Sequence, residues 1–324
     1  MVRQFFNCAT FATIARMNES LENSESIARN FEEQFGDVRT VEIFGENVDF
    51  IDITPAEQKY ENPLFMAPGW SETPTTFKDT IEVFFDAGHR VLSVDHGRLV
   101  PHAGDPYPLS ADERAILAEY NVEKQGGVPI PELLKAKALL EILNHQSVKK
   151  TDVVAHSEGA IYTMVAAALS PERFGDIVLV GPASLVEEDS VLHRVAGGVR
   201  TYLQGFKKMI VEPESREALM RGDIESMKTI ARNPAAALEE VAAIAHFNIE
   251  GMLSKLHEKG LKISIVHGQD EVMYPIKGMR GMVHSDDVYE YIEMPRGDHQ
   301  SIYMKDEARF VEGVLKSMNE RAAE

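Results

Sequence analysis

Cysteine occurs once in the 324 residues, at Cys8, and tryptophan once, at Trp70. One cysteine forms no internal disulfide and fits a reducing compartment, with Cys8 itself expected to be inert. Basic residues are outnumbered, 33 Lys and Arg against 52 Asp and Glu, for a net charge of -19. That balance disfavours nucleic acid and anionic membrane surfaces, which repel such a chain on average. No stretch approaches the ~18 apolar residues a membrane span needs. The mixed segment Phe5 to Ala15 is broken by Asn7, Cys8 and two threonines, which does not suit a secretory signal, so a soluble, cytoplasmic protein is expected. Gly-rich phosphate loops of the G-x-G-x-x-G or Walker type are missing, and the histidines show no zinc-type spacing such as H-E-x-x-H. Neither a nucleotide cofactor nor a metal is expected.

What is present is enough apolar material, 44% of residues, for one large core. Residues 1–36 read as a helical arm with Leu21, Ile27, Ala28 and Phe31 on one side. Packing against the body or against a partner chain, as in a homodimer, is its default role. Val38 to Phe44 and Val48 to Ile53 flank the turn Gly45-Glu46-Asn47 and read as a β-hairpin. Strands and helices then alternate. Leu64 to Ala67, Val91 to Val94, the run ending at Val153-Val154, Asp176 to Gly181, Ile263 to Val266 and Val288 to Met294 read as strands, Leu64 to Ala67 and Asp176 to Gly181 as buried ones. Phe77, Ile81, Phe84 and Phe85 mark one helix, Leu134, Leu139, Ile142 and Leu143 after Pro131 another, and Phe310, Val311, Val314, Leu315 and Met318 the last. This order predicts an α/β fold with a mostly parallel central sheet flanked by helices.

Two stretches break the rhythm. From about Leu185 to Glu258 helical segments occur without a clear strand, which predicts a helical cap at 185–258 inserted before the penultimate strand, with the core at 37–184 and 259–324. An insertion there would sit over the carboxyl ends of the strands, where open α/β sheets place their sites. His96 to Ile130 reads as a long loop with Pro101, Pro106, Pro108 and Gly126-Gly127, and such loops usually carry function or motion.

The most informative residues are Ala155-His156-Ser157-Glu158-Gly159, between the apolar Val153-Val154 and a run with Ile161, Met164, Val165, Ala168 and Leu169 on one helical face. They spell a strand, a sharp turn with serine at its apex, and a helix: the small-x-Ser-x-Gly nucleophile elbow. The pattern alone arises by chance in about one chain in five of this length. Its setting is what carries weight. Read on its own, Ser157 could equally be a helix N-cap, and His156 beside it suits packing or hydrogen bonding better than catalysis. Ser147-Val148-Lys149-Lys150 matches S-x-x-K by letters only, since it precedes a strand.

Three further motifs follow other strands: Pro68-Gly69-Trp70, His267-Gly268-Gln269-Asp270 and Gly297-Asp298-His299. Together with the elbow, in this order, they resemble the α/β-hydrolase fold superfamily over about residues 38–320, in particular its capped, carboxylesterase- or lipase-like serine hydrolases. The first is similar to the superfamily's His-Gly-aromatic oxyanion turn, with proline in place of histidine. A backbone N–H survives that change. The resemblance implies Ser157 as nucleophile, His299 as base and Asp270 as the acid, with the Trp70 and Glu158 amides facing the oxyanion. Glu187, Glu188 and Asp189 compete with Asp270, and Asp298 is too close to His299 in sequence to turn back on it. The ring's unperturbed pKa of about 6.5 sets the expected fall of activity in acid.

Tyr202, Phe206, Met209, Met227 and Phe247 in the insertion suit a lid over an apolar acyl or alcohol group, although ordinary subdomain core explains any one of them as well. The expected reaction is cleavage of a small-molecule carboxylic ester. Thioesters, amides and carbon–carbon bonds are handled by similar triads, and a hydrolase-like binding protein is the alternative of another class.

Overall fold

The computed structural model of the chain describes residues 36, 38–97, 99, 109–122, 126–185, 191–232, 234–275 and 288–323. The expected N-terminal arm, most of the proline-rich part of the 96–130 stretch, and Glu187, Glu188 and Asp189 lie outside them.

The hairpin opens the sheet. β1 (Arg39–Ile43) and β2 (Glu46–Ile53) pair antiparallel, with Ile43 opposite Glu46. The turn is therefore the two residues Phe44-Gly45, one position earlier than the spacing predicts. Both have positive φ, 54° and 79°, the geometry that matches the twist of a tight hairpin. Next come β3 (Leu64–Ala67), α1 (Lys78–Ala87), β4 (Val91–Asp95), α2 (Ala111–Ala118), α3 (Ile130–His145), β5 (Thr151–His156), α4 (Gly159–Leu169) and β6 (Phe174–Val180). Four helices separate β6 from the following strand: α5 (Val191–Val211), α6 (Arg216–Arg232), α7 (Pro234–His246) and α8 (Glu250–Glu258). β7 (Ile263–Gly268), β8 (Glu290–Met294) and α9 (Lys305–Ala323) complete the described elements. The eight strands run in the order β1-β2-β4-β3-β5-β6-β7-β8, antiparallel up to β4 and parallel beyond it.

Each central strand feeds two cores. In β3 Phe65 and Ala67 face one cluster, with α3, α4 and α8, while Leu64 and Met66 face the other, with α1 and α9. Both faces are covered, which is why these strands read as unbroken apolar runs.

Two boundaries differ from expectation. α2 forms inside the stretch read as a loop. Its start is marked by Ser110 and Glu113, which exchange side-chain to backbone hydrogen bonds as a capping box, although its low amphipathicity gives no strong periodic signal. α8, which the expected boundary at 258 assigns to the insertion, buries Met252, Leu253 and Leu256 in the main core and packs on α4. Spacing of i, i+1 and i+4 gave it one apolar face, and that face meets the sheet's own helices. Among the described residues no helix is long and apolar enough to cross a membrane.

Candidate active site

Ser157 stands where β5 turns into α4. Its φ is 51°, a left-handed conformation that a serine adopts only when its surroundings impose it. The constraint is visible on both sides. A Cβ on Gly159 would lie 2.4 Å from the Ala67 carbonyl oxygen, so only glycine lets α4 approach β3 this closely. The Ser157 amide donates to the Val180 carbonyl at 3.0 Å, and the Ser157 carbonyl accepts from Ala183. The turn is clamped to β6 and the loop after it.

The Ser157 hydroxyl lies 3.0 Å from His299 Nε2. On the other side of the ring, His299 Nδ1 lies 2.7 Å from Glu271 Oε2. The acid beside the histidine is therefore Glu271 and not Asp270. Asp270 is exposed, its amide donating to Gly297 and its carbonyl accepting from the Gln204 side chain. One residue further along, the chain turns inward. Glu271 Oε1 accepts from the amides of Met273 and Tyr274, leaving Oε2 for the histidine. The loops that carry Glu271 and His299 touch at Gly268 and Gly297, where a Cβ on Gly268 would lie 2.2 Å from the Gly297 carbonyl oxygen. In sequence the Gly-x-Asp pattern points to Asp270. The signal for Glu271 is its place as the last acidic residue before the apolar Val272-Met273-Tyr274.

Burial works against charge on His299, but the Glu271 carboxylate and its hydrogen bond outweigh it and hold the ring's pKa above the ordinary histidine value. Burial likewise opposes charge on Glu271, and His299 overrides it, keeping the carboxyl below its usual range.

The Pro68-Gly69-Trp70 turn lies against the serine: a Cβ on Gly69 would be 3.0 Å from Ser157 Cβ. Neither the Trp70 amide nor the Glu158 amide has a backbone acceptor among the described residues. Under the elbow, Lys135 of α3 bridges Glu158 at 2.7 Å and Glu240 of α7 at 3.0 Å, all three largely withdrawn from water. Glu132 beside them is fully buried, and burial together with the Glu158 charge pushes its carboxyl well up, toward the neutral form.

A cavity of about 260 Å³ opens over Ser157 and His299. Trp70, Ser71, Glu72, Tyr274 and Tyr303 line it, and the helices between β6 and β7 add Thr201, Tyr202, Ser226, Ile230, Val241 and Ile244. Of the five residues expected there from the insertion, only Tyr202 lines it. Phe206 and Met227 face solvent, Met209 packs against the α1 and α9 side of the core, and Phe247 is buried in the main core. Residue type alone did not say which helix face turns inward. What packs against each helix decided it. Gln300, next to His299, donates to Asp223 of α6 at 2.9 Å, and burial raises the Asp223 carboxyl to about 6.

No family model matches the chain, and no curated protein matches it. Solved structures do. One is a bacterial membrane phospholipase A described as a virulence factor, at 14% identity and TM-score 0.59, covering 98% of this chain and 99% of that one. Another is a thermophilic esterase from Thermogutta terrifontis, at 14% identity and TM-score 0.58, covering 87% and 99%. A third is a meta-cleavage product hydrolase, at 15% identity and TM-score 0.57, covering 87% and 98%. At these identities the likeness concerns the fold, and the shared fold is the α/β-hydrolase fold.

Proposed function

Taking the α/β-hydrolase fold as the premise, we propose that this chain is a serine hydrolase that cleaves a carboxylic ester through an acyl-enzyme on Ser157, with His299 as base and Glu271 as its orienting acid. The observation that carries this reading is the continuous chain of contacts from Ser157 through His299 to Glu271, with the serine strained to the apex of its turn beneath a cavity. A serine hydroxyl is a weak nucleophile at neutral pH and needs such an arrangement.

In the reaction, His299 Nε2 accepts the Ser157 proton as the oxygen attacks the ester carbonyl carbon. The carbonyl π electrons move to oxygen, and the amides of Trp70 and Glu158 stabilise the resulting oxyanion. Glu271 holds the Nδ1–H tautomer and balances the imidazolium charge. The tetrahedral carbon then expels the alkoxide, which takes the proton from His299 and leaves as alcohol. Water repeats the sequence on the acyl-enzyme, releasing the acid. The helices between β6 and β7 act as a cap, since they line part of the cavity.

The cavity is somewhat smaller than the ~300 Å³ at which drug-sized sites begin, which suits a short acyl or alcohol group with an apolar surface. The test is intact mass after a fluorophosphonate probe, together with turnover of p-nitrophenyl esters of increasing acyl length, for wild type and Ser157→Ala. One adduct on wild type, none on the variant and turnover that declines with acyl length support the reading. A protein that takes no adduct and turns over no ester is a binding protein instead.

A further inference from the structure

A second carboxylate–imidazole pair stands beside the first, and the reaction above makes no use of it. Glu72 follows the Gly69-Trp70 turn and is almost entirely buried. Its Oε2 accepts from the Gly69 amide and its Oε1 from the Tyr303 hydroxyl. Both oxygens also face His156 Nδ1, at 2.8 and 3.0 Å. His156, the residue before the nucleophile, is fully buried, and its Nε2 lies 2.8 Å from the backbone carbonyl of His299.

The two neighbours of the His156 ring are thus a carboxylate on Nδ1 and a backbone carbonyl on Nε2. A carboxylate withdrawn from water persists only when its hydrogen bonds are filled. Here they are. Phe77 and Tyr303 close edge-on around the ring, with centroids 5.8 and 5.7 Å away.

The placement has a consequence for the site. Through Gly69 the pair holds the turn that presents the Trp70 amide. Through His156 it is covalently continuous with the elbow, and through the His299 carbonyl and Tyr303 it holds the base loop. We propose that Glu72 and His156 are positioning residues that keep the base and the oxyanion turn in register with Ser157. This rests on the serine-hydrolase reading.

The groups facing His299 are Glu271 on its Nδ1, Glu72 across the turn, Asp298 next to it in the loop, His267 of β7, His156 and the Tyr274 ring. Burial lowers the His299 pKa; Glu271 raises it most and Glu72 raises it further. Removing Glu72's charge therefore moves the base downward.

The experiment compares wild type, Glu72→Gln and Tyr303→Phe for kcat, KM and the pH dependence of kcat/KM on a short p-nitrophenyl ester, with thermal melts to establish folding. For Glu72→Gln the expected result is kcat lower by about ten- to a hundred-fold, the scale on which small misplacements of reacting groups act, KM little changed, and the acid limb displaced to lower pH. Tyr303→Phe removes one donor from Glu72 without opening a large cavity, and is expected to lower kcat a few-fold. A folded Glu72→Gln with unchanged kcat and an unmoved acid limb overturns the proposal. If that variant does not fold, unchanged kcat in Tyr303→Phe overturns it. Wild type that takes the fluorophosphonate while both variants behave normally removes only the positioning role, whereas wild type without adduct or turnover removes the hydrolase reading and this proposal with it.

Discussion

Glu271 Oε2 meets His299 Nδ1 at 2.7 Å, while the neighbouring Asp270 turns its side chain to solvent. Two adjacent acids thus have opposite fates. Adjacent residues in a turn point to different sides, and only Glu271 has a side chain that reaches the ring while its second oxygen is held by the amides of Met273 and Tyr274.

Substitution separates the two acids. Glu271→Gln keeps the shape but loses the charge that, in the proposed reaction, balances the imidazolium and selects its tautomer, and the expected loss in kcat is on the order of 10⁴-fold, as for the equivalent change in a serine protease triad. Asp270→Asn is expected to leave kcat within about two-fold, because exposed surface changes have small effects. Steady-state kinetics on one ester decides the pair, and equal losses would return the acid's role to the loop as a whole.

The pH profile carries a sign. In the proposed reaction His299 accepts a proton only when neutral, and its pKa lies above the ordinary value of 6.5. Below that raised pKa the ring is imidazolium and cannot accept the serine proton. The acid limb of kcat/KM, which reports the free enzyme, is therefore expected to have its midpoint above 6.5, higher than an unperturbed ring would give. Asp223, raised to about 6, titrates nearby. Asp223→Asn is expected to leave the midpoint in place. A wild-type midpoint below 6.5 contradicts the assigned environment of the ring.

Beneath the elbow, Lys135 compensates Glu158 and Glu240 in the dry interior. Lys135→Met leaves Glu158 buried without its cation, and the expected destabilisation is about 3–5 kcal/mol in urea unfolding. Adding Glu158→Gln removes the stranded charge and is expected to restore part of the loss, because the two residues are in contact. The Glu158 backbone amide is untouched by that change. A double variant no more stable than the single one would show that the loss does not come from the stranded Glu158 charge.

The elements that were legible in the sequence are those whose signal is local. Buried strands show as short apolar runs, and α4 and α9 show a helical period with clear ends. The elbow shows because a strand, a serine with small flanking residues and a helix must follow one another in the chain. Tyr202 was legible by type, but Phe206, Met209, Met227 and Phe247 have the same character and do not line the cavity. Which face of a long helix turns inward depends on what packs against it. α2 was missed because a helix of eight residues with a weak apolar face announces itself only by its capping box.

By itself, then, the sequence determined the alternation of the central strands with most of their helices, the strand–turn–helix placing of Ser157, and the two-faced burial of the central sheet, because each follows from the chemistry of neighbouring residues. Tertiary structure alone decided which of two adjacent acids reaches His299, which insertion residues wall the cavity, and that Glu72 and His156 pair across 84 positions of chain. Those outcomes are contacts between segments far apart in sequence, and such contacts exist only once the sheet brings the ends of β3, β5, β7 and β8 together.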